Sequence, residues 1–185
     1  MNSGIQRGFD FSKPSTIDLG ILSEELNTNY LSYVHLVTAF LPHLQAQDSK
    51  QTSLIFTTSG LALLPITRCG NYCASKAALH HLILVIREQL RHGPGDVRVI
   101  EIYPPAVQTE LHDEKHQPDI KDGGKMGMPL AEFTDKAWSG LLEGKDQIPV
   151  GFVTAPFEGW EAERQKQFKQ MVEMMKSKDF AIPSR

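Results

Sequence analysis

The sequence is poor in cysteine, in net charge and in long apolar runs, and each shortage closes off a class of protein. Two cysteines, Cys69 and Cys73, in 185 residues exclude a disulfide-rich secreted scaffold. With 19 basic and 22 acidic residues the net charge is −3, so nothing global attracts nucleic acid or an anionic membrane. No apolar run approaches the roughly 18 residues of a membrane span. Residues 1–20 lack the basic-then-apolar layout of a secretory leader. Repeats and low-complexity stretches are also missing. What is present, 41% apolar and 22% charged residues, is the make-up of one ordinary domain able to bury a core without staples. A single cytoplasmic domain over residues 1–185 is the expectation.

Three short runs read as strands: Ser53–Thr58 (SLIFTT), Val97–Tyr103 (VRVIEIY) and Ile148–Val153 (IPVGFV). The first ends in a Ser-Gly turn and the second stops at Pro104-Pro105. The third holds a proline and a glycine, which suits an edge strand. Helical periodicity fills the intervals. Residues 22–46 carry a stripe from Leu26 to Leu44, and residues 70–92 carry one from Ala74 to Leu90 that ends at Gly93-Pro94-Gly95. Two further helices are expected over 130–143 and 158–178. The alternation predicts an α/β fold, a parallel sheet of about three strands with helices on both faces. Helices 22–46 and 70–92 are apolar on more than one face, and a homodimer through them is the expected use of the second face. Residues 6–18 and 46–52 read as loops. The long stretch 113–129 reads as a mobile loop or lid.

Tyr72 and Lys76 stand four apart at the start of a helix, so their side chains share one face. A phenol with a reference pKa near 10 is a poor acid–base group at neutral pH. A nearby ammonium favours the phenolate, and the pair is then able to exchange a proton with a carbonyl/alcohol couple. Alone, Y-x-x-x-K is a weak signal. Its surroundings strengthen it. Ser59 lies thirteen residues earlier at the carboxyl end of a strand, the edge where α/β sheets bind ligands. Asn29 sits inside a long helix, where asparagine needs a reason to be buried. Pro104-Pro105-Ala-Val-Gln-Thr109 follows the second strand, again at a carboxyl end.

Together these residues resemble the short-chain dehydrogenase/reductase family. The matching pieces are Asn2-Ser3-Gly4-Ile5, Asn29 in LNTNYL, Ser59 in FTTSG, Tyr72-Cys-Ala-Ser-Lys76-Ala-Ala and Pro104…Thr109. The resemblance implies a Rossmann-like fold and NAD(P)-dependent hydride transfer on a small carbonyl or alcohol. By the same resemblance Tyr72 is the general acid or base, and Lys76 tunes it and holds the nicotinamide ribose. Ser59 then bonds the substrate oxygen, while Asn29 holds a water behind Lys76. Asn2, Gly4, Pro104, Val107 and Thr109, with Tyr72 and Lys76, form the cofactor side of the pocket. Residues 110–135 are expected to cover the substrate.

Two departures stand against that pattern. The family grips its cofactor through T-G-x-x-x-G-x-G after the first strand, a turn that offers backbone N–H groups to the pyrophosphate. None of the 14 glycines falls in that pattern or in G-x-G-x-x-G, and Gly4…Gly8 fails at Asp10. Pro105 stands where the family has glycine, which removes an N–H and fixes φ near −65°. The expectation is therefore the C-terminal catalytic half of the fold, truncated before the adenosine site, with the strand Ser53–Thr58 left as an unpaired edge. Its cofactor is NADP or NAD, or none in this chain. The alternative is a non-redox remnant, either a dimerisation partner or a cofactor-free acid–base isomerase or cyclase.

Other residues carry less. His112 and His116 lack a matching carboxylate motif, so no metal site is expected. Cys69 and Cys73 read as small buried thiols. Phe168, Met171, Val172 and Met175 form a stripe expected to pack on the same domain, with a partner face as the alternative. Trp138 and Trp160 read as packing or substrate-pocket residues.

Overall fold

A computed structural model of the protein describes residues 1–47 and 50–176. Its centre is a three-stranded parallel sheet in the order β1 (Thr52–Thr57), β2 (Val97–Tyr103), β3 (Gln147–Pro149). Parallel neighbours need crossovers, and helices supply them. On one face, Leu54 and Phe56 of β1 and Val97 and Val99 of β2 meet α2 (Ser32–Gln45) and α3 (Gly70–Leu90) through Tyr33, Val37, Leu79 and Ile83. On the other face, Ile100, Ile102 and Ile148 pack against Ala137 of α4 (Leu130–Leu142). The two-residue alternation of a strand sends these sets to opposite sides. Each fully buried aliphatic or aromatic side chain contributes about 1.5–3 kcal/mol. The α/β sheet with helices on both faces is thus as the sequence predicts.

The boundaries differ in instructive places. The helix expected over 22–46 begins earlier, as α1 (Leu19–Leu26), where the Asp18 carboxylate accepts from the N–H groups of Gly20 and Ile21. It then passes through a π turn at Asn27–Leu31 before α2. The third strand ends at Pro149. Gly151, at φ +65°, turns the chain into a 3₁₀ turn over Gly151–Val153. The last helix starts earlier than expected, as α5 (Thr154–Pro156), a π turn over Phe157–Glu161 and α6 (Ala162–Lys176). The expected positions 177–178 lie outside the described residues.

The edge of β1 is partly satisfied from within the chain. The Met1 amino group donates to the Ile55 carbonyl at 2.7 Å, and the Thr57 N–H donates to the Met1 carbonyl at 3.0 Å. β1 is thus an edge of the sheet, as expected, with Met1 alone lying along its outer side where a neighbouring strand would be.

The stretch 113–129, expected as a mobile loop or lid, is fastened to the fold at several points. The Arg68 guanidinium is bidentate on Asp119 and donates to Gln117 at 2.6 Å. Gln117 is buried and donates to the Leu111 carbonyl at 2.6 Å. The strand-like bridge Val107–Met128 fastens the far end. Trp138 and Trp160 are 59% and 41% exposed, so neither packs within the core. Met171 and Met175 of the α6 stripe are exposed too, a partial correction to its packing on the same domain. Phe168 and Val172 are half-buried.

Candidate active site

Four side chains from three segments lie beyond the carboxyl end of β1. Asn29 sits in the π turn, where one extra residue per turn redirects a side chain; such bulges recur at functional sites. It is fully buried. Its Oδ1 accepts from the Ile5 N–H at 2.9 Å, and its Nδ2 donates to the Ile5 carbonyl at 2.9 Å and to Ser75 Oγ at 3.1 Å. The amide therefore pins residues 4–5 to the start of α3, which is the reason its burial requires. Ser75 Oγ in turn donates to the Tyr72 carbonyl.

Ser59 follows β1 and caps the 3₁₀ turn Gly60–Ala62, its Oγ accepting from the Leu61 N–H at 3.0 Å. Gly60 permits this close approach, since a Cβ there would come within 2.5 Å of Val153 Cγ2. The Ser59 hydroxyl lies beside the phenol of Tyr72. Tyr72, buried on α3, is pushed above the usual phenol range by burial, and its neighbour Ser59 pulls it down by less. Lys76 lies one turn further, 3% exposed, with Nζ 5.7 Å from the centroids of both the Tyr72 and Tyr33 rings. Burial lowers its pKa to about 8 against the opposing charge of Glu101. The expected lowering of the phenol by the lysine is thus not what the folded chain has. Removal from water raises the Tyr72 phenol and weakens the lysine's own charge.

Among the described residues Lys76 Nζ makes one hydrogen bond, to the Thr57 carbonyl at 3.1 Å, leaving two N–H groups for a ligand. Gly4 stands over it: a Cβ built there would lie 3.4 Å from Asn29 Oδ1 and 3.6 Å from Lys76 Nζ. Val107 is buried, Pro104 and Thr109 are half-buried beyond β2, and the Pro104 carbonyl accepts from the Gly60 N–H at 2.8 Å. Thr109 caps the turn Glu110–His112. Asn2 is exposed and lies outside this cluster's bonds. His112 Nδ1 lies 3.3 Å from Gln117 Nε2, and no group of three or more potential metal ligands occurs among the described residues. Cys69 and Cys73 are buried thiols beside Tyr72, as expected.

A second buried polar cluster lies one turn beyond Lys76, where the sequence pointed to none. His80 is 1% exposed. Its Nδ1 is 3.0 Å from a Glu101 oxygen and its Nε2 2.9 Å from Glu161 Oε1. Tyr103 donates to Glu101 at 2.8 Å, and Arg164 donates to both oxygens of Glu161. Burial disfavours the imidazolium, but hydrogen bonds to the two carboxylates raise His80 to about 9. Against its own burial, His80 and Arg164 hold Glu161 at about 2. A signal was available: Glu101 occupies an inward position of VRVIEIY shared with Val97, Val99 and Tyr103, where a carboxylate demands a cation.

The raised His80 pKa makes stability depend on pH. The folded chain holds a proton that the unfolded chain releases near 6.5, so this contribution is complete below that pH and lost as pH rises through about 9. Lys76, depressed to about 8, opposes the loss only above pH 8. Cys73, lowered to about 6 by its neighbour Cys69, adds an opposing slope in the same range. Urea unfolding should therefore show a His80 contribution, read as the difference between the unaltered chain and a variant without the imidazole, that falls by about 1 kcal/mol per pH unit between 6.5 and 8. The His80→Gln variant should lose that slope. An equal slope in both proteins would contradict the charged pairing.

No helix among the described residues is long and apolar enough to cross a membrane. Residues 1–119 match the model of the short chain dehydrogenase family. The chain is 36% identical to an uncharacterized oxidoreductase, DltE, of Bacillus subtilis, over 92% of this chain and 65% of that protein. It is 33% identical to a 3-ketodihydrosphingosine reductase, TSC10, of Yarrowia lipolytica, over 75% of this chain and 38% of that protein. The chain thus spans less than two thirds of the length of both relatives. A short chain dehydrogenase from Burkholderia cenocepacia, crystallised with NADP, shares the fold at a TM-score of 0.70 and 24% identity, over 91% of this chain and 67% of that one. One from Sphingobium yanoikuyae, with NADPH, shares it at 0.73 and 18%, over 90% and 62%. With its Rossmann-like parallel sheet and the match over residues 1–119, the chain belongs to the short-chain dehydrogenase/reductase family of oxidoreductases.

Proposed function

We propose that residues 1–185 carry the C-terminal catalytic half of an NAD(P)-dependent oxidoreductase that interconverts a small carbonyl compound and its alcohol. The observation that carries this is the buried Lys76 Nζ, with two N–H groups unused among the described residues, beneath a Tyr72 phenol that has Ser59 beside it. A buried amine with spare donors beside Gly4 fits the vicinal hydroxyls of a nicotinamide ribose. Pro104, Val107 and Thr109 stand where the carboxamide end would rest. The pyrophosphate has no comparable cradle in this sequence, since no glycine-rich turn occurs in it. Asn2, by its exposure, is the weakest member of the set.

When bound, the nicotinamide supplies or takes up the hydride at the carbonyl carbon. The chain's own residues handle the oxygen. Burial keeps Tyr72 in its protonated form at neutral pH, the form that gives a proton to an oxygen gaining negative charge. The Ser59 hydroxyl donates to that same oxygen and orients it. The Lys76 ammonium stabilises the phenolate left behind, and Asn29 fixes the floor of the site through Ile5 and Ser75. A neutral resting phenol favours reduction over oxidation near pH 7.

A homodimer through α1–α2 and α3 belongs to the same reading, supported by exposed Leu26, Leu31, Phe40 and Val85, as does a cytoplasmic setting, supported by two free thiols.

The test uses reduced nicotinamide mononucleotide, which needs no adenosine site. Saturation-transfer NMR should detect its binding at about millimolar affinity, equivalent to roughly 4 kcal/mol, and Lys76→Met should abolish the signal. Transfer that survives in Lys76→Met, or none in the unaltered chain, would overturn the reading in favour of non-redox acid–base chemistry or a binding role.

A further inference from the structure

We propose that Glu101 is a positioning residue for Lys76, the second member of an alternating-charge chain that runs Lys76, Glu101, His80, Glu161, Arg164 from the site to α6. The assignment rests on the roles of Tyr72 and Lys76 proposed above.

Spacing and register bring these groups together. Lys76 and His80 are four apart on α3, so they leave the helix from one face. Both are buried against the sheet. Lys76 reaches the backbone carbonyl of Thr57 on β1, and His80 reaches the side chain of Glu101 on β2. In the sheet, Phe56 pairs with Glu101 and Thr57 with Ile102. The carboxylate thus stands one register position from the carbonyl that anchors the lysine, on the face that α3 covers.

Glu101 is fully buried, between Val99 and Tyr103 on that face of β2. A carboxylate there stays ionised only with cations close by. Two are on α3. Both oxygens of Glu101 face His80 Nδ1, at 3.0 and 3.1 Å, and Tyr103 donates to one of them. Lys76 is the second; it makes no direct ion pair with the carboxylate and acts on it through space from the same face of α3. The titratable groups facing it are Glu101 from β2, Tyr33 from α2 and Tyr72 from its own helix. Those facing His80 are Glu101 and Tyr103 from β2, Glu161 from the π turn, Arg164 from α6 and His81 beside it.

The chain of signs has a consequence for the lysine. Glu101 favours its ammonium, whereas the His80 imidazolium competes for the same carboxylate and repels the ammonium. Arg164 is bidentate on Glu161, and Gln165 donates at 2.7 Å both to Glu161 and to Gln147 of β3. The seating of α6 on the sheet is thereby transmitted to the charge state of the residue that stabilises the Tyr72 phenolate.

The experiment is a pH titration of the Lys76 side chain in the full chain by NMR of labelled lysine, assigned with Lys76→Arg. It needs no cofactor and no turnover. The midpoint in the unaltered protein is expected near about 8. Glu101→Gln should lower it by about one unit or more, the effect of removing an opposite charge. His80→Gln should raise it, because a competing cation is gone. Opposite shifts are the signature, since a loosened core would move both the same way. A folded Glu101→Gln chain with an unchanged midpoint overturns the proposal, as does a lowered midpoint in His80→Gln. If Glu101→Gln does not fold, the direction in His80→Gln decides alone. Should the shifts appear while Tyr72→Phe leaves turnover intact, the electrostatic chain stands and the catalytic reading falls.

Discussion

Replacing Tyr72 by phenylalanine is expected to slow carbonyl reduction by about 10²–10⁴-fold, the range for removing a positioned general acid, while the chain folds as before. The ring stays packed against Cys69, Cys73 and Leu61, so only the hydroxyl beside Ser59 is lost. That loss costs about 1 kcal/mol of stability, a few degrees in Tm at this chain length. Rate and fold are thus separated by one oxygen atom. The defect should fall on kcat rather than on KM, because the proton moves only as charge develops on the substrate oxygen. Reduced nicotinamide oxidation followed by absorbance with a series of aldehydes and ketones measures it. Ser59→Ala should slow the same reaction less, since it removes an orienting donor and leaves the acid. A Tyr72→Phe chain within tenfold of the unaltered rate would place the proton donor elsewhere.

Asn29→Ala is expected to be the most destabilising of the site substitutions, by about 3 kcal/mol or more. Three hydrogen bonds disappear, and both the N–H and the carbonyl of Ile5 lose the partner they share. A polar group left unpaired in a buried position costs about 1–3 kcal/mol, and the pocket vacated by the amide adds to it. The effect also reaches the site. Gly4 stands over Lys76 because Ile5 is pinned, so residues 1–5 should loosen before the sheet does. Urea unfolding gives the stability, and hydrogen exchange at Ile5 and Thr57 gives the order of opening. Asn29→Asp keeps the acceptor for the Ile5 N–H and should be milder in exchange at that amide. A loss below about 0.5 kcal/mol, typical of a surface substitution, would mean that the amide does not anchor the chain.

Much of this arrangement was legible in the sequence, for reasons that differ by residue. The strands were visible because buried β-branched runs end at turn residues, Ser59-Gly60 and Pro104-Pro105. The helices were visible because α3 carries apolar residues at 3–4 spacing and stops at Gly93-Pro94. Tyr72 and Lys76 could be paired because a helix puts positions four apart on one face. The π turn at Asn27–Leu31 was not legible, since nothing in NTNYL distinguishes it from ordinary helix. It arises from what Asn29 must reach, residue 5 across the fold. The stretch 113–129 read as loose because its composition is polar. Arg68, 51 residues from Asp119 in sequence, holds it by an ion pair that no local pattern reports. His80 and Glu101 went unseen for the same reason: each is an isolated polar residue in an apolar element, and only the tertiary pairing gives it a partner. The direction of the Tyr72 shift was misjudged because proximity to an ammonium is visible in the spacing, whereas the burial that outweighs it is not.

The central claim is that separate segments turn two hydroxyls toward one small space, where a single substrate oxygen meets both. Crystals of the chain soaked in a simple ketone, such as cyclohexanone, test this most directly. The ketone oxygen should lie within hydrogen-bonding distance, about 2.5–3.0 Å, of both Tyr72 Oη and Ser59 Oγ, with Lys76 Nζ beneath the phenol. A ketone seated elsewhere, or the two hydroxyls opening into different cavities, would contradict the account.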